Sequence, residues 1–236
     1  MPYPIAHPAA VLPLARLMGR FAVPSALAIG SVAPDLWYLI PFIERDDTHS
    51  LAGLAWFCVP VGLALYLLFH LFAKQPLIAL TSPRLGAYTP SRLPQATWLA
   101  VVISLFAGGL THLGWDALTH SYDELFPRFN WLQHGSSALG SAVLLWWGTQ
   151  RLRAAPPARP VLSARVRLCT VAALLGSAAL AALHAAALPA HDLPFHDLPA
   201  LRQFARSTGV AALEALAVAL FIYCLLFQRK MLRRAA

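Results

Sequence analysis

An all-α, polytopic transmembrane helical bundle is the fold class this sequence predicts. Of its 236 residues, 58% are hydrophobic and 12% charged, against about a quarter charged in soluble domains. The apolar residues also gather in long runs, and about 20 helical residues cross a hydrocarbon core of about 30 Å. Five spans are expected at 51–73, 95–115, 133–150, 168–188 and 209–228. A sixth run lies between Arg20 and Glu44, where Asp35 is the only charge, but Pro24, Pro34 and Pro41 interrupt it.

Residues 1–43 admit two readings. In one, a re-entrant helical hairpin turns near Arg20-Phe21 and returns with Asp35 at the face it entered from. In the other, a plain span runs from 22 to 43 and His7 lies on the far side of the membrane from Asp35. Irregular backbone at that depth requires cover from protein or a wet cavity.

Charge orients the bundle. The segments 74–94, 151–167 and 229–236 carry Lys74, Arg84, Arg151, Arg165, Arg229 and further basic residues with no acid among them. The opposite segments hold Glu44, Asp46, Asp47, Asp116, Asp123, Glu124, Asp192 and Asp197. The positive-inside rule then places the basic loops and the C-terminus in the cytoplasm and the acidic loops outside. Lipid headgroups account for the arginines, so no nucleic-acid partner is expected despite the formal charge of +8. The organisation expected is a transmembrane domain over 1–150, a basic cytoplasmic linker over 151–167 and a helix pair over 168–236. Cys58, Cys169 and Cys224 lie singly in apolar runs and predict neither disulfides nor a thiolate site.

The chemistry concentrates where the apolar run 95–115 ends. His112, Asp116 and His120 follow one another at intervals of four, which stacks them on one helix face. Burying two imidazoles and a carboxylate there is costly unless they are paired, hydrated or coordinated. On the predicted topology His49, His134 and Asp35 come to the same membrane face. Nitrogen and oxygen ligands without sulfur suit one divalent transition metal, Zn²⁺ foremost, with Mn²⁺ or Fe²⁺ as alternatives. His70 belongs to the other end of its span and reads as a core histidine.

His7, Gly30-Ser-Val-Ala-Pro-Asp35, Asp47-Thr-His-Ser50 and Gly109-Leu-Thr-His-Leu-Gly-Trp-Asp-Ala-Leu-Thr119 resemble the ordered blocks of bacterial membrane-bound metal-dependent hydrolases. Through Gln133-His-Gly-Ser-Ser137 and Trp146-Trp147, over about residues 1–150, the chain is more specifically similar to domain of unknown function family 4184. The hydrolase group usually carries a second acid two residues after its Pro-Asp and a further His before Thr-His-Ser. Here Trp37 and the Glu44–Asp47 run stand at those places.

The resemblance implies a hydrolase of the bacterial inner membrane acting on a lipid-linked or amphiphilic ester or phosphoester. His7, Asp35, His49, His112 and Asp116 are its candidate metal ligands, and His120, Asp46 or Asp47 its general base or acid. His134 and Glu214 are candidates for orienting a ligand or substrate. The expected partners are membrane lipids and a lipid-like small-molecule substrate; the alternative is a non-catalytic carrier or scaffold that binds an ion or headgroup.

Overall fold

The computed structural model describes residues 4–40, 42–81, 96–125, 131–156, 161–187 and 198–235, with backbone alone at 4, 5, 38, 39, 120–125, 131, 198–203, 206 and 231–235. Among these residues the only regular structure is helical. The chain forms two compact units, one of Met1–Leu71 and Ser91–Ala155, the other of Phe72–Pro90 and Pro156–Ala236. The second unit therefore includes the end of a helix that the sequence assigns to the first domain.

The first unit opens with short pieces. A 3-10 turn, Pro4–Ala9, leads into α1, Val11–Met18. Gly19 at φ 54° ends α1 in the left-handed region that a side chain resists, and the chain reverses through Gly19–Phe21. α2, Pro24–Gly30, starts with proline at its first position, where the missing N–H costs nothing. A second 3-10 stretch, Ala33–Leu39, then carries Asp35. The sequence between 22 and 43 is thus two short elements, not a single span.

α3, Arg45–Thr48, is one turn held by a capping box in which the Asp47 carboxylate accepts from the Glu44 backbone N–H at 3.0 Å. Ser50 caps the next helix by accepting from Gly53 N–H at 2.9 Å. That helix, α4, runs Leu51–Leu80. Pro60 would clash with the carbonyl four residues back, and just before it the helix widens into a π-turn at Leu54–Cys58. α5, Trp98–Leu125, and α6, Trp131–Ala154, complete the unit.

α2 crosses α5 at backbone contact. A Cβ on Gly30 would overlap the Leu105 carbonyl, and one on Gly108 would overlap the Leu27 carbonyl. Small residues permit such approaches in apolar bundles. Around the crossing pack Val23, Ala26, Tyr66, Ala100, Val101 and Leu105. A second cluster of Ala33, Leu54, Phe57 and Cys58 sits beneath the 3-10 stretch.

In the second unit α7, Ala164–Ala186, packs on α8, Leu198–Ala235. Pro76 has no N–H to offer the Phe72 carbonyl, and Gln228 Nε2 donates to that carbonyl instead at 3.0 Å. Tyr223 OH donates to the Pro76 carbonyl at 3.0 Å.

Among the described residues four stretches are long and apolar enough to cross a membrane: Leu51–Leu80, Trp98–Thr119, Ala164–Ala186 and Ser207–Lys230. In the last two only 6% and 11% of the most apolar window is buried by protein. Helices apolar all round and uncovered by protein are those of a membrane protein. α6 forms where a fifth span was expected, but Gln133, His134 and Ser136 at its start and Gln150 to Arg153 at its end dilute it, and it is not among the four. None of the helices before α4 has a membrane-spanning length.

Candidate metal centre

Side chains from the N-terminal turn, the 3-10 stretch, the head of α4 and the end of α5 meet inside the first unit. Five edges define the cluster. His49 Nε2 lies 3.3 Å from His112 Nε2, 3.5 Å from Asp35 Oδ1 and 3.6 Å from Asp116 Oδ2. His112 Nε2 lies 3.6 Å from Asp35 Oδ1 and 3.8 Å from Asp116 Oδ2. His7 stacks on His112 with ring centroids 4.0 Å apart. His7, Asp35 and His112 form one set of potential ligands within 4.8 Å of one another, and His49, His112 and Asp116 form a second; His112 belongs to both.

The local folding explains the convergence. The Gly30–Gly108 crossing brings the Ser31 carbonyl against α5, where it accepts from His112 Nδ1 at 2.9 Å. His49 Nδ1 donates to the Arg45 carbonyl at 3.0 Å, and Thr48 Oγ1 donates to the Pro34 carbonyl at 3.0 Å. The carbonyls of Ser31, Pro34 and Arg45 thus find partners in the residues that orient the site. Asp116 follows His112 by one helical turn and receives Arg45 on Oδ2 at 2.8 Å.

Those hydrogen bonds fix the tautomers. A carbonyl only accepts, so His112 Nδ1 carries a proton; His49 Nδ1, which also lies 2.9 Å from Thr48 Oγ1, carries one when Thr48 gives its single hydroxyl proton to the Pro34 carbonyl, and in neutral rings both Nε2 atoms then present bare lone pairs. Two lone pairs and two carboxylate oxygens therefore face one another with no proton between them. The surroundings offer little water: the side chains of Asp35, His49, His112 and Asp116 are 0–6% exposed. The His7 Nε2 and Asp35 Oδ1 atoms are buried without a hydrogen-bond partner among the described residues. Burial, and after it the neighbouring His112, pushes the His7 imidazole down to about 4, so it is neutral and able to ligate near neutral pH.

The geometry fits a metal ion. Ligands at about 2.0–2.2 Å in a tetrahedron stand about 3.3–3.6 Å apart, close to the five separations of 3.3–3.8 Å given above. They are long for hydrogen bonds, which close to about 2.7–3.2 Å.

The remaining candidates stand elsewhere. Asp46 and Asp47 are exposed, outside both ligand sets, and Asp47 serves as the α3 cap. His134 is exposed on α6. Glu214 is exposed on α8 in the second unit. His120 lies on α5, but its side chain is outside the described residues. His70 pairs with Ser25 Oγ at 2.9 Å and packs on Tyr66, away from both ligand sets. Arg45 had no place in the sequence reading; its signal is a lone cation inside Glu44-Arg-Asp-Asp47, one turn before His49.

No curated protein and no solved structure matches the chain. A family model does, and it reaches past the motif-bearing stretch of about 1–150 into α8, covering residues 1–225. With nearly its whole length inside that match, the chain belongs to the family described as "Domain of unknown function (DUF4184)".

Proposed function

We propose that the protein is an integral-membrane metal-dependent hydrolase with one divalent ion, zinc foremost, held by His49, His112, Asp35 and Asp116 with His7 beside them, acting on an ester or phosphoester of an amphiphile. The observation that carries this reading is the meeting of His49 Nε2 and His112 Nε2 at 3.3 Å, each of them 3.5–3.8 Å from an oxygen of Asp35 and an oxygen of Asp116, with the Nδ1 atom of each ring against a carbonyl. Bound there with a further position left to water, the ion would supply Lewis acidity and lower the pKa of that water toward neutrality. The chain's own part is to hold the two imidazoles in one tautomer, exclude bulk water and present the substrate. Proton transfer falls to His120, one turn beyond Asp116 on α5, or to Asp46.

The membrane is a bacterial inner membrane, with five to six spans, the cluster toward the outer face and the C-terminus in the cytoplasm. The lack of acids in the segments 74–94, 151–167 and 229–236 supports that orientation. His7 and Asp35, on either side of α1 and α2, flank the same cluster, which supports a re-entrant hairpin over 8–33. Residues 1–150, 151–167 and 168–236 then act as metal-site domain, cytoplasmic linker and helix pair.

The test is hydrolysis by the full-length protein in detergent, with release of phosphate or fatty acid from phospholipid micelles as the readout. The reading predicts turnover that a chelator abolishes and added Zn²⁺ restores. A protein that holds its metal but turns over none of these lipids would instead be a carrier or scaffold.

A further inference from the structure

Arg45 is the one cation paired with the cluster among the described residues, and the balance of charge around it calls for an anion. Two carboxylates, Asp35 and Asp116, offset a divalent ion, and neutral imidazoles add nothing. Arg45 then leaves the centre with one positive charge in excess. The carboxylates beside it in sequence face water instead: Glu44, Asp46 and Asp47 are exposed, and among the described residues Asp116 is the carboxylate that Arg45 pairs with. An unbalanced cation next to groups 0–6% exposed is costly unless an anion joins it.

The geometry suits that task. Arg45 donates from one terminal nitrogen to Asp116 Oδ2 at 2.8 Å, while its side chain is 35% exposed against 6% for Asp116. It therefore bridges the buried carboxylate and the outside, and a guanidinium has five N–H donors to share. Its backbone is held, because its carbonyl accepts from the His49 backbone N–H at 2.9 Å and from His49 Nδ1 at 3.0 Å. A guanidinium held in one place is the side chain best matched to the paired oxygens of a phosphate.

A cavity of about 180 Å³ opens against His7, lined mainly by Ala6, Ala10, Trp115, Leu139 and Val143. It is apolar enough to receive part of a hydrocarbon tail.

Resting on the metal-centre reading above, we propose that Arg45 is the residue that binds the anionic oxygens of the substrate, and that the substrate is therefore a phosphate ester and not a neutral carboxylic ester. The phosphate chemistry is shared by a lipid-linked ester and by free phosphate; the cavity beside His7 gives the first a place for its tail.

The test uses full-length protein in detergent micelles, with metal content, thermal stability and phosphate affinity measured for wild type, Arg45→Gln and Arg45→Lys. Two probes are titrated, inorganic phosphate and phosphatidic acid in mixed micelles. Arg45→Gln is expected to keep its metal and weaken both probes at least tenfold, with Arg45→Lys recovering part of the loss. Tighter wild-type binding of phosphatidic acid than of inorganic phosphate assigns the site to a lipid phosphate ester; equal binding assigns it to free phosphate, which keeps Arg45 as the anion-binding residue and overturns the ester as its ligand. Unchanged phosphate affinity in Arg45→Gln overturns the proposal. So does loss of the metal from that variant, which would make Arg45 a support for Asp116. Wild type without metal overturns the metal centre itself and this inference with it, an outcome read before any Arg45 variant is compared.

Discussion

His49 Nε2 and His112 Nε2 face each other at 3.3 Å while the opposite nitrogen of each ring is bound to a backbone carbonyl. Only a proton added to one ring or a metal ion can occupy the space between them. A proton would satisfy a single pair and leave the other separations of 3.5–3.8 Å unexplained. An ion between the two nitrogens would also lie within reach of the Asp35 and Asp116 oxygens.

Removing a ligand should therefore remove the metal. His112→Ala and Asp116→Ala are expected to purify with less than about a tenth of the wild-type content, since losing one of four ligands costs well over the 1.4 kcal/mol that equals a tenfold change. His70→Ala should keep its metal, because its partners are Ser25 and Tyr66. Elemental analysis of the three variants checks this, and equal metal in all of them would sever the site from these residues.

The α2–α5 crossing should tolerate no side chain. Gly108→Val places atoms where the Leu27 carbonyl already sits, so a loss of about 1–3 kcal/mol or more is expected. Because the same crossing sets the Ser31 carbonyl against His112, metal affinity should fall with stability. Thermal unfolding with and without Zn²⁺ measures both, and a wild-type melting temperature would show that the helices do not approach so closely.

Within the second unit, Gln228→Leu leaves the Phe72 carbonyl unpaired and should cost about 1–3 kcal/mol. Pro76→Ala restores a backbone N–H four residues on, so the same Gln228→Leu change should cost less in that background. A double-mutant cycle on unfolding reads the coupling, and strict additivity would mean that the two groups do not share the carbonyl.

Much of the centre is legible in the sequence because helical spacing is rigid. His112 and Asp116 at an interval of four, and His49 just ahead of an apolar run, are set by the geometry of a single helix and its capped start. Arg45 was not legible, because an arginine among three acids reads as a surface ion pair until the fold shows that its partner is Asp116, 71 residues away. The same holds for Asp47, whose role as a cap depends on a four-residue turn that no periodicity announces. The break of 22–43 into short elements was signalled by its prolines, but the carbonyl partners that make it tolerable, His112 and Thr48, lie in other segments. α6 has the length of a span, but its polar ends keep its composition short of the four most apolar stretches among the described residues.

Orientation in the membrane is open to direct labelling. Single cysteines placed in 151–167 and near the C-terminus should react only after the cytoplasmic side is exposed, and those placed in 122–129 should react from outside in intact cells. The warrant is the absence of acidic residues from the basic segments. Labelling of 122–129 from the cytoplasm would move the cluster to the inner leaflet and remove the outer-leaflet substrate.

X-ray absorption spectroscopy at the zinc edge, on full-length protein purified without chelators, tests the metal centre most directly. The expected result is about one zinc per chain with nitrogen and oxygen neighbours at about 2.0–2.2 Å and no sulfur, since Cys58, Cys169 and Cys224 belong to neither ligand set. Protein with no bound transition metal, and no zinc taken up on titration, would contradict it and leave His49 and His112 sharing a proton.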